Sequence, residues 1–347
     1  MRRVVRAFLT ALAALGSVWL ALLALSFTSR ASPTTDPRVW DRRWAAALAL
    51  LPERATQRGE ASRALVDDDW MAGELAMAVL SRAPADGADV LREALGAQSA
   101  RARERACVGL GSMGLQAASA VPGLILALRD DDAAVRASAA WALGRIGDAR
   151  EAVTAALVER MDSDAVWVRR EAVAALARAS ESPPAPILKR LAGPDSTQCA
   201  WALLVVTSMG ARAEAAAPAL ARLAGRRGDT DLFRRTAAAI AAIGPGAATA
   251  VEPLLAHMRE GSATEARLAG EALSAIGSAA VPGLLDVAVS GARGAMAAVS
   301  AIAAMGERAT APLAAALDGS DEGKRRIAAS LLARRDRAPT VDPTATP

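Results

Sequence analysis

The chain has 347 residues, of which 53% are hydrophobic but only 3% aromatic, with no tyrosine, and its formal net charge is +4. Much of the apolar content is alanine, which forms helices well and lets them pack closely, so the composition favours an all-α architecture over a globular core of aromatic and β-branched residues. Three of the positive charges, Arg2, Arg3 and Arg6, precede an apolar segment; the remainder is close to neutral, which excludes the basic surface of a nucleic-acid-binding protein.

Residues 7–27 form an apolar run without a charge, long enough for a helix that crosses a hydrocarbon core of about 30 Å. The basic residues before it favour a cytoplasmic N-terminus. Three interpretations stay open: an uncleaved anchor, a signal peptide cleaved near the small residues Ser29 and Ala31, or a buried soluble helix. We predict that residues 1–30 are an anchor or signal. The rest would then lie outside the cytoplasm, either on a single-pass membrane protein or, after cleavage, as a secreted or periplasmic protein.

Two short segments are rich in proline and threonine. We predict that residues 31–39 are a linker and that residues 337–347 are a disordered tail. Between them, residues 40–98 are predicted as capping repeats and residues 99–336 as a repeat solenoid.

Internal similarity is the strongest signal in the sequence. The segment at residues 135–148, VRASAAWALGRIGD, has related copies along the chain, and most copies close with a glycine. The spacing is about 33 residues or twice that number, a period typical of stacked helix pairs. The closing positions are Gly114, Gly147, Ser180, Gly210, Gly244, Gly277 and Gly306.

The pattern predicts that one repeat consists of a first helix, a glycine turn, a second helix and an acidic turn. Apolar residues in the first helix recur at the spacing of one helical face, and the glycine supplies a left-handed residue that ends the helix. Acidic turns such as residues 130–132 are expected to cap the next helix. Proline occupies the first turn of the second helix, where its missing N–H has no partner to lose, at Pro122, Pro218, Pro253, Pro282 and Pro312.

This pattern of acidic turn, Val-Arg, Ala-rich helix and closing glycine resembles the HEAT family of armadillo-type repeats, in particular its short bacterial subtype, first noted in phycobilin lyases. The resemblance covers about residues 67–335. It implies a right-handed α-α superhelix of roughly eight helix pairs. The predicted N-terminal apolar helix precedes it.

The same family includes lyases and di-iron hydroxylases whose ligands are repeated His-Glu pairs. This chain has one histidine, His257, and no tyrosine, so it offers neither that metal site nor an aromatic chromophore cleft. His257 near the end of a second helix is more typical of a hydrogen-bonding group than of a base. Cys107 and Cys199 lie far apart in apolar helices and are predicted to be small buried hydrophobic residues. We therefore predict no catalytic residue, no cofactor, no metal and no small-molecule substrate.

An arginine recurs in the first helix, 10 or 11 residues before the closing position. Stacking in register predicts a column of these side chains. Two roles stay open. In a structural ladder each arginine would bond a turn acid or carbonyl of a neighbouring repeat, with Asp132, Asp164 and Asp231 as suitable acids. In an open ridge they would bind an anionic partner. The five residues are Arg103, Arg136, Arg169, Arg234 and Arg267.

Three tryptophans, Trp141, Trp167 and Trp201, recur in first helices. Core packing is the default, but any that faces the surface would be a strong interaction anchor. We predict a non-enzymatic scaffold that binds a protein or peptide on its concave face and meets the membrane through residues 7–27. The alternatives are a structural spacer or assembly factor in an envelope complex and, more remotely, an accessory subunit or enzyme of the lyase or hydroxylase type.

Overall fold

The computed structural model describes residues 58–66, 70–82 and 86–336. The predicted anchor, linker and disordered tail lie outside these residues, and the predicted capping region is described in part. The regular elements of the described part of the chain are all helical, which confirms the all-α prediction.

The described residues form eighteen α-helices. In chain order they are α1 (Arg58–Val66), α2 (Trp70–Leu80), α3 (Asp86–Ala94), α4 (Ala100–Met113), α5 (Val121–Ala127), α6 (Ala133–Ile146), α7 (Glu151–Ser163), α8 (Val166–Ala179), α9 (Ala185–Ala192), α10 (Ser196–Met209), α11 (Ala217–Ala224), α12 (Thr230–Ile243), α13 (Val251–Glu260), α14 (Ala263–Ile276), α15 (Val281–Val289), α16 (Ala295–Ala304), α17 (Thr310–Leu317) and α18 (Glu322–Asp336). Short 3-10 segments join some of them, at Gly114–Ala120, Gly210–Ala216, Gly244–Ala250, Ser278–Ala280 and Gly306–Ala309.

From α2 to α17 the helices form eight antiparallel pairs, as the sequence predicts. Successive first helices pack side by side, from α4 against α6 through to α14 against α16. The second helices form a second layer beside them. A pair alone cannot bury both apolar faces, whereas the stack can. The HEAT-type solenoid predicted from the sequence is therefore confirmed.

The six closing glycines all have positive φ, from 57° at Gly306 to 89° at Gly277. Gly147 takes the left-handed helical conformation expected from the sequence, with ψ of 25°. At Gly114, Gly210 and Gly244 ψ is close to −133°, a region open essentially to glycine alone. The reason is the connection: these three glycines lead into a 3-10 segment, whereas Gly147 does not.

Small residues let the first helices approach closely. A Cβ atom on Gly111 of α4 would lie 2.4 Å from the Trp141 ring and 2.8 Å from Cα of Ala142 in α6. A Cβ atom on Gly144 would lie 2.6 Å from Cα of Ala175 in α8. Alanine fills much of the buried layer between these helices. The Ala-rich composition thus follows from short interhelical distances.

Two described stretches, Ala100–Ala127 and Thr230–Glu260, are long and apolar enough to cross a membrane by length and composition alone. Each is one helix pair with its 3-10 turn, and 44% of its apolar window is buried within the fold. Core helices of soluble proteins pass the same test, so these stretches are weak grounds for a membrane span. The predicted anchor at residues 7–27 lies outside the described residues.

Candidate functional site

Arg103 and Arg136 make the same four hydrogen bonds, one repeat apart. Nε and Nη2 of Arg103 donate to the carboxylate of Asp130 at 2.6 and 2.8 Å. Those of Arg136 donate to Asp164 at 2.6 and 2.7 Å. In both residues Nη1 donates to two backbone carbonyl oxygens of the turn before its own helix, at 2.7 to 2.9 Å. Each guanidinium therefore joins two successive inter-repeat turns, and we call these residues the clamp arginines.

The clamps are largely shielded from solvent. The Asp164 side chain is 3% exposed, and that of Arg136 is mostly covered. Hydrogen bonds from Arg136 hold the pKa of Asp164 below its usual value, against the opposing effect of burial. Arg103 lowers the pKa of Asp130 in the same way. Two parallel bonds between a guanidinium and a carboxylate are among the strongest that proteins make.

Arg169 makes only part of this arrangement. Its Nε donates to the carbonyl oxygen of Asp164, at 2.5 Å, and its guanidinium lies 5.7 Å from the ring centroid of Trp201. In the turn that follows the pair α8–α9, Gly193 lies two residues before the helix cap Asp195. In the turn before α6 the equivalent residue is Asp130. Arg169 therefore has no acid to clamp.

Arg234 and Arg267 point away from the neighbouring repeats. Arg234 is 54% exposed and pairs with Asp231 of its own helix at 2.5 Å. Arg267 is 62% exposed and pairs with Glu271, also in its own helix. The structure does not bring the five predicted arginines into one column.

The reason is a shift of one residue. Counted from the residue that caps each first helix, the clamp arginines and Arg169 are the fourth residue, whereas Arg234 and Arg267 are the fifth. One residue turns a helical side chain by about 100°. The later repeats without a fourth-position arginine have small or apolar residues there, all buried: Cys199, Phe233, Ala266 and Ala298.

Only some of the acids expected from the sequence serve as partners. Asp164 does, but Asp132 accepts the N–H groups of Ala134 and Val135 and so caps α6. Asp231 bridges Arg234 and Arg235 within one helix. The clamp partner missed by the sequence analysis is Asp130, and its signal is an acid two residues before a capping acid.

Two more arginines were missed. Arg212 donates to the carbonyl oxygens of Ser180 and Ala177, at 2.8 and 2.7 Å, across one repeat. Arg308 donates to Ala275 O at 3.2 Å. Both lie two residues after a closing glycine, so the motif Gly-x-Arg predicts an arginine that caps the end of the preceding first helix.

The tryptophans Trp141, Trp167 and Trp201 lie on the solvent side of α6, α8 and α10, all first helices. Trp167 is 48% exposed, and the other two are half-buried. The guanidinium of Arg145 lies 5.9 Å from the Trp141 ring centroid, a cation–π contact. In the described residues the second helices carry no tryptophan, and their exposed large apolar side chains are Leu126, Val289 and Leu317.

His257 serves as a hydrogen-bonding group at a helix end. Its Nε2 lies 2.8 Å from the carbonyl oxygen of Ala224, the last residue of α11, and its ring stacks on Phe233 with 3.9 Å between centroids. The side chain is 1% exposed, and burial lowers its pKa. Cys107 and Cys199 are buried free thiols, as predicted, and burial raises the pKa of Cys107 to about 12.

Charged side chains also meet near the first described helices. Arg105 is buried, donates to Leu65 O at 3.1 Å and to Glu74 at 3.3 Å, and lies beside Glu104 in a cleft. Burial, and then Glu74, raises the pKa of Glu104. Within the described ranges no group of three or more His, Cys, Asp and Glu residues is placed to hold a metal ion.

Comparisons with known proteins agree with this architecture. Residues 88–178 match the sequence profile of the family described as HEAT repeats. The structure is similar to the karyopherin Kap121p bound to the extreme C-terminus of the protein phosphatase Cdc14p, with a TM-score of 0.50 and 12% identity over 82% of this chain and 38% of the karyopherin. At this identity the likeness shows the fold alone. No match to a functionally curated protein was found.

Two further solved structures are more distant. An archaeal HEAT-like repeats protein from Thermococcus onnurineus NA1 has a TM-score of 0.44 and 16% identity over 64% of this chain and 98% of its own. The complex of CpcE and CpcF of phycocyanin lyase from Nostoc sp. PCC7120 has a TM-score of 0.36 and 21% identity over 72% of this chain and 94% of that one. At these TM-scores neither likeness carries an argument about function. The profile match covers residues 88–178, and the stack of helix pairs extends the same HEAT-type repeat fold along the described residues.

Proposed function

We propose that this protein is a non-enzymatic scaffold that binds another protein through its repeat stack. The observation that carries the proposal is the exposed indole of Trp167 on a first helix, next to two half-buried tryptophans on neighbouring first helices. Tryptophan and arginine dominate the binding energy of protein interfaces. The clamps hold successive repeats in fixed register, which keeps such anchors in place without an entropic cost on binding.

The five predicted arginines divide between the two roles that the sequence left open. We assign Arg103 and Arg136 to the structural ladder, because their guanidinium groups are fully engaged inside the stack. Arg169 has one backbone bond and a tryptophan face, so it joins the ladder at one end only. Arg234 and Arg267 are the two exposed members, and an anionic partner would have to displace their own-helix acids.

We also propose that residues 7–27 tether the protein to a membrane, or direct its export, with the repeats outside the cytoplasm. Support comes from the length of the uncharged run and from the basic residues before it. The sequence predicts a partner on the concave face. The tryptophans favour the first-helix layer as the surface with anchors.

A structural spacer is the second candidate. The second-helix layer favours it, since its exposed positions are mostly charged residues, alanine and proline, with few large apolar side chains. An enzymatic or accessory role of the lyase or hydroxylase type is disfavoured, because one buried histidine and no tyrosine leave little for either chemistry.

The test is crosslinking of the full-length protein in its native membranes, with wild type, Trp167→Ser and Leu126→Ser compared. Leu126 is exposed on a second helix and serves as the matched control. A scaffold that uses the first-helix layer should enrich a partner that Trp167→Ser loses and Leu126→Ser keeps. A partner pattern identical in all three, or no partner above a charge-matched control protein, would contradict the proposal and favour the spacer.

A further inference from the structure

Side chains at equivalent positions of four first helices form two rows on their solvent side. The ninth residues after the helix caps of α4, α6, α8 and α10 make the apolar row, which consists of Val108, Trp141, Ala174 and Leu204. Four residues later, on the same face of each helix, α6 and α8 carry Arg145 and Arg178. The two rows therefore run side by side across the stack.

Two contacts place both arginines against α6. The guanidinium of Arg145 lies 5.9 Å from the ring centroid of Trp141. Nη1 of Arg178 lies 3.0 Å from the place where Gly144 would carry a Cβ atom, so Arg178 reaches from α8 across to α6. Both cations thus lie beside the widest part of the apolar row. Leu204 at its far end is 40% exposed.

The charges on this surface are unbalanced. Arg145, Arg170 and Arg178 are exposed, and within the described residues none of them has an ion-pair partner; Glu171 is the one acid on this face of α8. No charged residue lies in α10. An aromatic and aliphatic row bordered by unpaired guanidinium groups complements a ligand that is apolar along one edge and acidic along the next.

We infer that the apolar row and the arginines beside it bind an acidic amphipathic helix of a partner protein, laid across α6, α8 and α10. Neighbouring packed helices are about 8–10 Å apart. Residues seven apart in a crossing helix are about 10.5 Å apart, so its i and i+7 apolar side chains match the row. Acids at i+3 or i+4 of that helix then face Arg145 and Arg178. The inference rests on the proposed scaffold function and names the chemistry of its partner.

A protein helix fits this surface better than a nucleic acid or a lipid surface does. The row beside the arginines is apolar, and a phosphate backbone has no apolar group that could cover it. The net charge of +4 over 347 residues supplies little general attraction for polyanions. Nucleic acid and anionic membrane therefore enter the test as competitors.

The test uses the full-length protein in a nonionic detergent and two labelled peptides of about 20 residues. Both carry leucine at helical spacing; one has glutamate and the other lysine at the remaining face positions. Binding is measured by fluorescence anisotropy with wild type, with Arg145→Glu/Arg178→Glu, and with Arg222→Glu. Arg222 is an exposed arginine of the second helix α11 that has no ion-pair partner among the described residues, and it serves as the matched control.

We expect wild type to bind the acidic peptide about tenfold more tightly than the basic one, and the double reversal to invert that preference. Arg222→Glu should behave as wild type. The inference is overturned if wild type binds neither peptide, if the double reversal keeps its affinity for the acidic peptide, or if Arg222→Glu weakens binding equally. It is also overturned if a DNA duplex, or an anionic lipid added to the detergent micelles, displaces the acidic peptide from wild type as well as unlabelled peptide does.

Crosslinking in native membranes separates this inference from the scaffold proposal. If the double reversal enriches the same partner as wild type, the scaffold function holds and this surface is not its site. If neither protein enriches a partner, the scaffold function itself fails. A circular dichroism melt of both variants checks that the fold is unchanged.

Discussion

Residues 100–179 and residues 230–276 are built from the same repeat, yet they connect their repeats in different ways. In the first region Arg103 and Arg136 reach forward to Asp130 and Asp164 and back to their own turns. In the second region two successive turns are joined instead by an exposed ion pair between Arg227 and Glu260, each two residues before a helix cap.

The difference shows that a clamp requires two matched positions. An arginine at the fourth position after the cap makes the four-bond clamp only when an acid follows in the next turn; Arg169, which lacks that acid, bonds a backbone oxygen and lies beside Trp201. An acid alone is not sufficient either, because Glu260 lies in the turn after Phe233, a buried apolar residue at the fourth position, and the arginine of that helix is at the exposed fifth position. Periodic arginine alone therefore does not identify a ladder.

The largest effect is expected from breaking a clamp. Arg136→Gln leaves the Asp164 carboxylate buried without its main partner, which should lower the free energy of unfolding by about 3 kcal/mol. Arg234→Gln removes an exposed pair within one helix and should cost less than about 0.5 kcal/mol. Urea unfolding followed by circular dichroism measures both. Equal losses would contradict the distinction between the two regions.

The clamp also has a pH signature. Because the pKa of Asp164 is lowered in the folded state, its contribution is present above the unfolded value of about 3.9 and is lost as the pH falls through the folded value. The difference in the free energy of unfolding between wild type and Arg136→Gln should therefore become smaller at acidic pH. A gap that stays constant down to the lowest pH that permits folding would argue against a charged clamp.

The next effect concerns the junction between the two regions. Arg212→Gln leaves the carbonyl oxygens of Ser180 and Ala177 without their donor, which should cost about 1–2 kcal/mol. Arg308→Gln removes one exposed bond and should cost about 0.5 kcal/mol or less. Thermal unfolding of the two variants ranks them. The reverse order would mean that Gly-x-Arg does not cap the preceding helix.

A smaller gain should follow from extending the ladder. Gly193→Asp supplies the missing acid for Arg169, and Gly193 has an extended backbone, with φ of −76°, that aspartate adopts without strain. We expect a stabilisation of about 1 kcal/mol in urea unfolding. Gly193→Ala measures the backbone contribution by itself. If Gly193→Asp is equally stabilising in an Arg169→Gln background, no new clamp has formed.

The smallest effect is expected at His257 in the second region. Its pKa is lowered by burial and then by Arg227, so the unfolded chain takes up a proton at higher pH than the folded one. The contribution of His257 to the free energy of unfolding should therefore be fully present above about pH 6.5 and decrease as the pH falls below that value. His257→Gln, which keeps a side-chain donor, should flatten this dependence in urea unfolding at several pH values. An unchanged slope would show that His257 does not titrate on unfolding.

Most of the fold could be predicted from the sequence, because the period near 33 residues and the closing glycines follow directly from residue types and their spacing along the chain. The candidate sites could not. The five arginines share a spacing, but whether one is clamped depends on an acid in the following turn and on a shift from the fourth to the fifth helical residue. The exposure of Trp167 depends on how the neighbouring helices pack, and so required the structure.

The position of Ser180 has a consequence for the order in which the chain becomes ordered during synthesis. Most pairs closed by glycine finish their first helix with residues already made, although α14 also accepts one exposed bond from Arg308. The helix α8 instead relies on Arg212, which leaves the ribosome 32 residues after Ser180. A nascent chain that stops after α9 should keep a frayed C-terminal end on α8. The pair α8–α9 would therefore become fully ordered only after the next pair, α10–α11, has been synthesised.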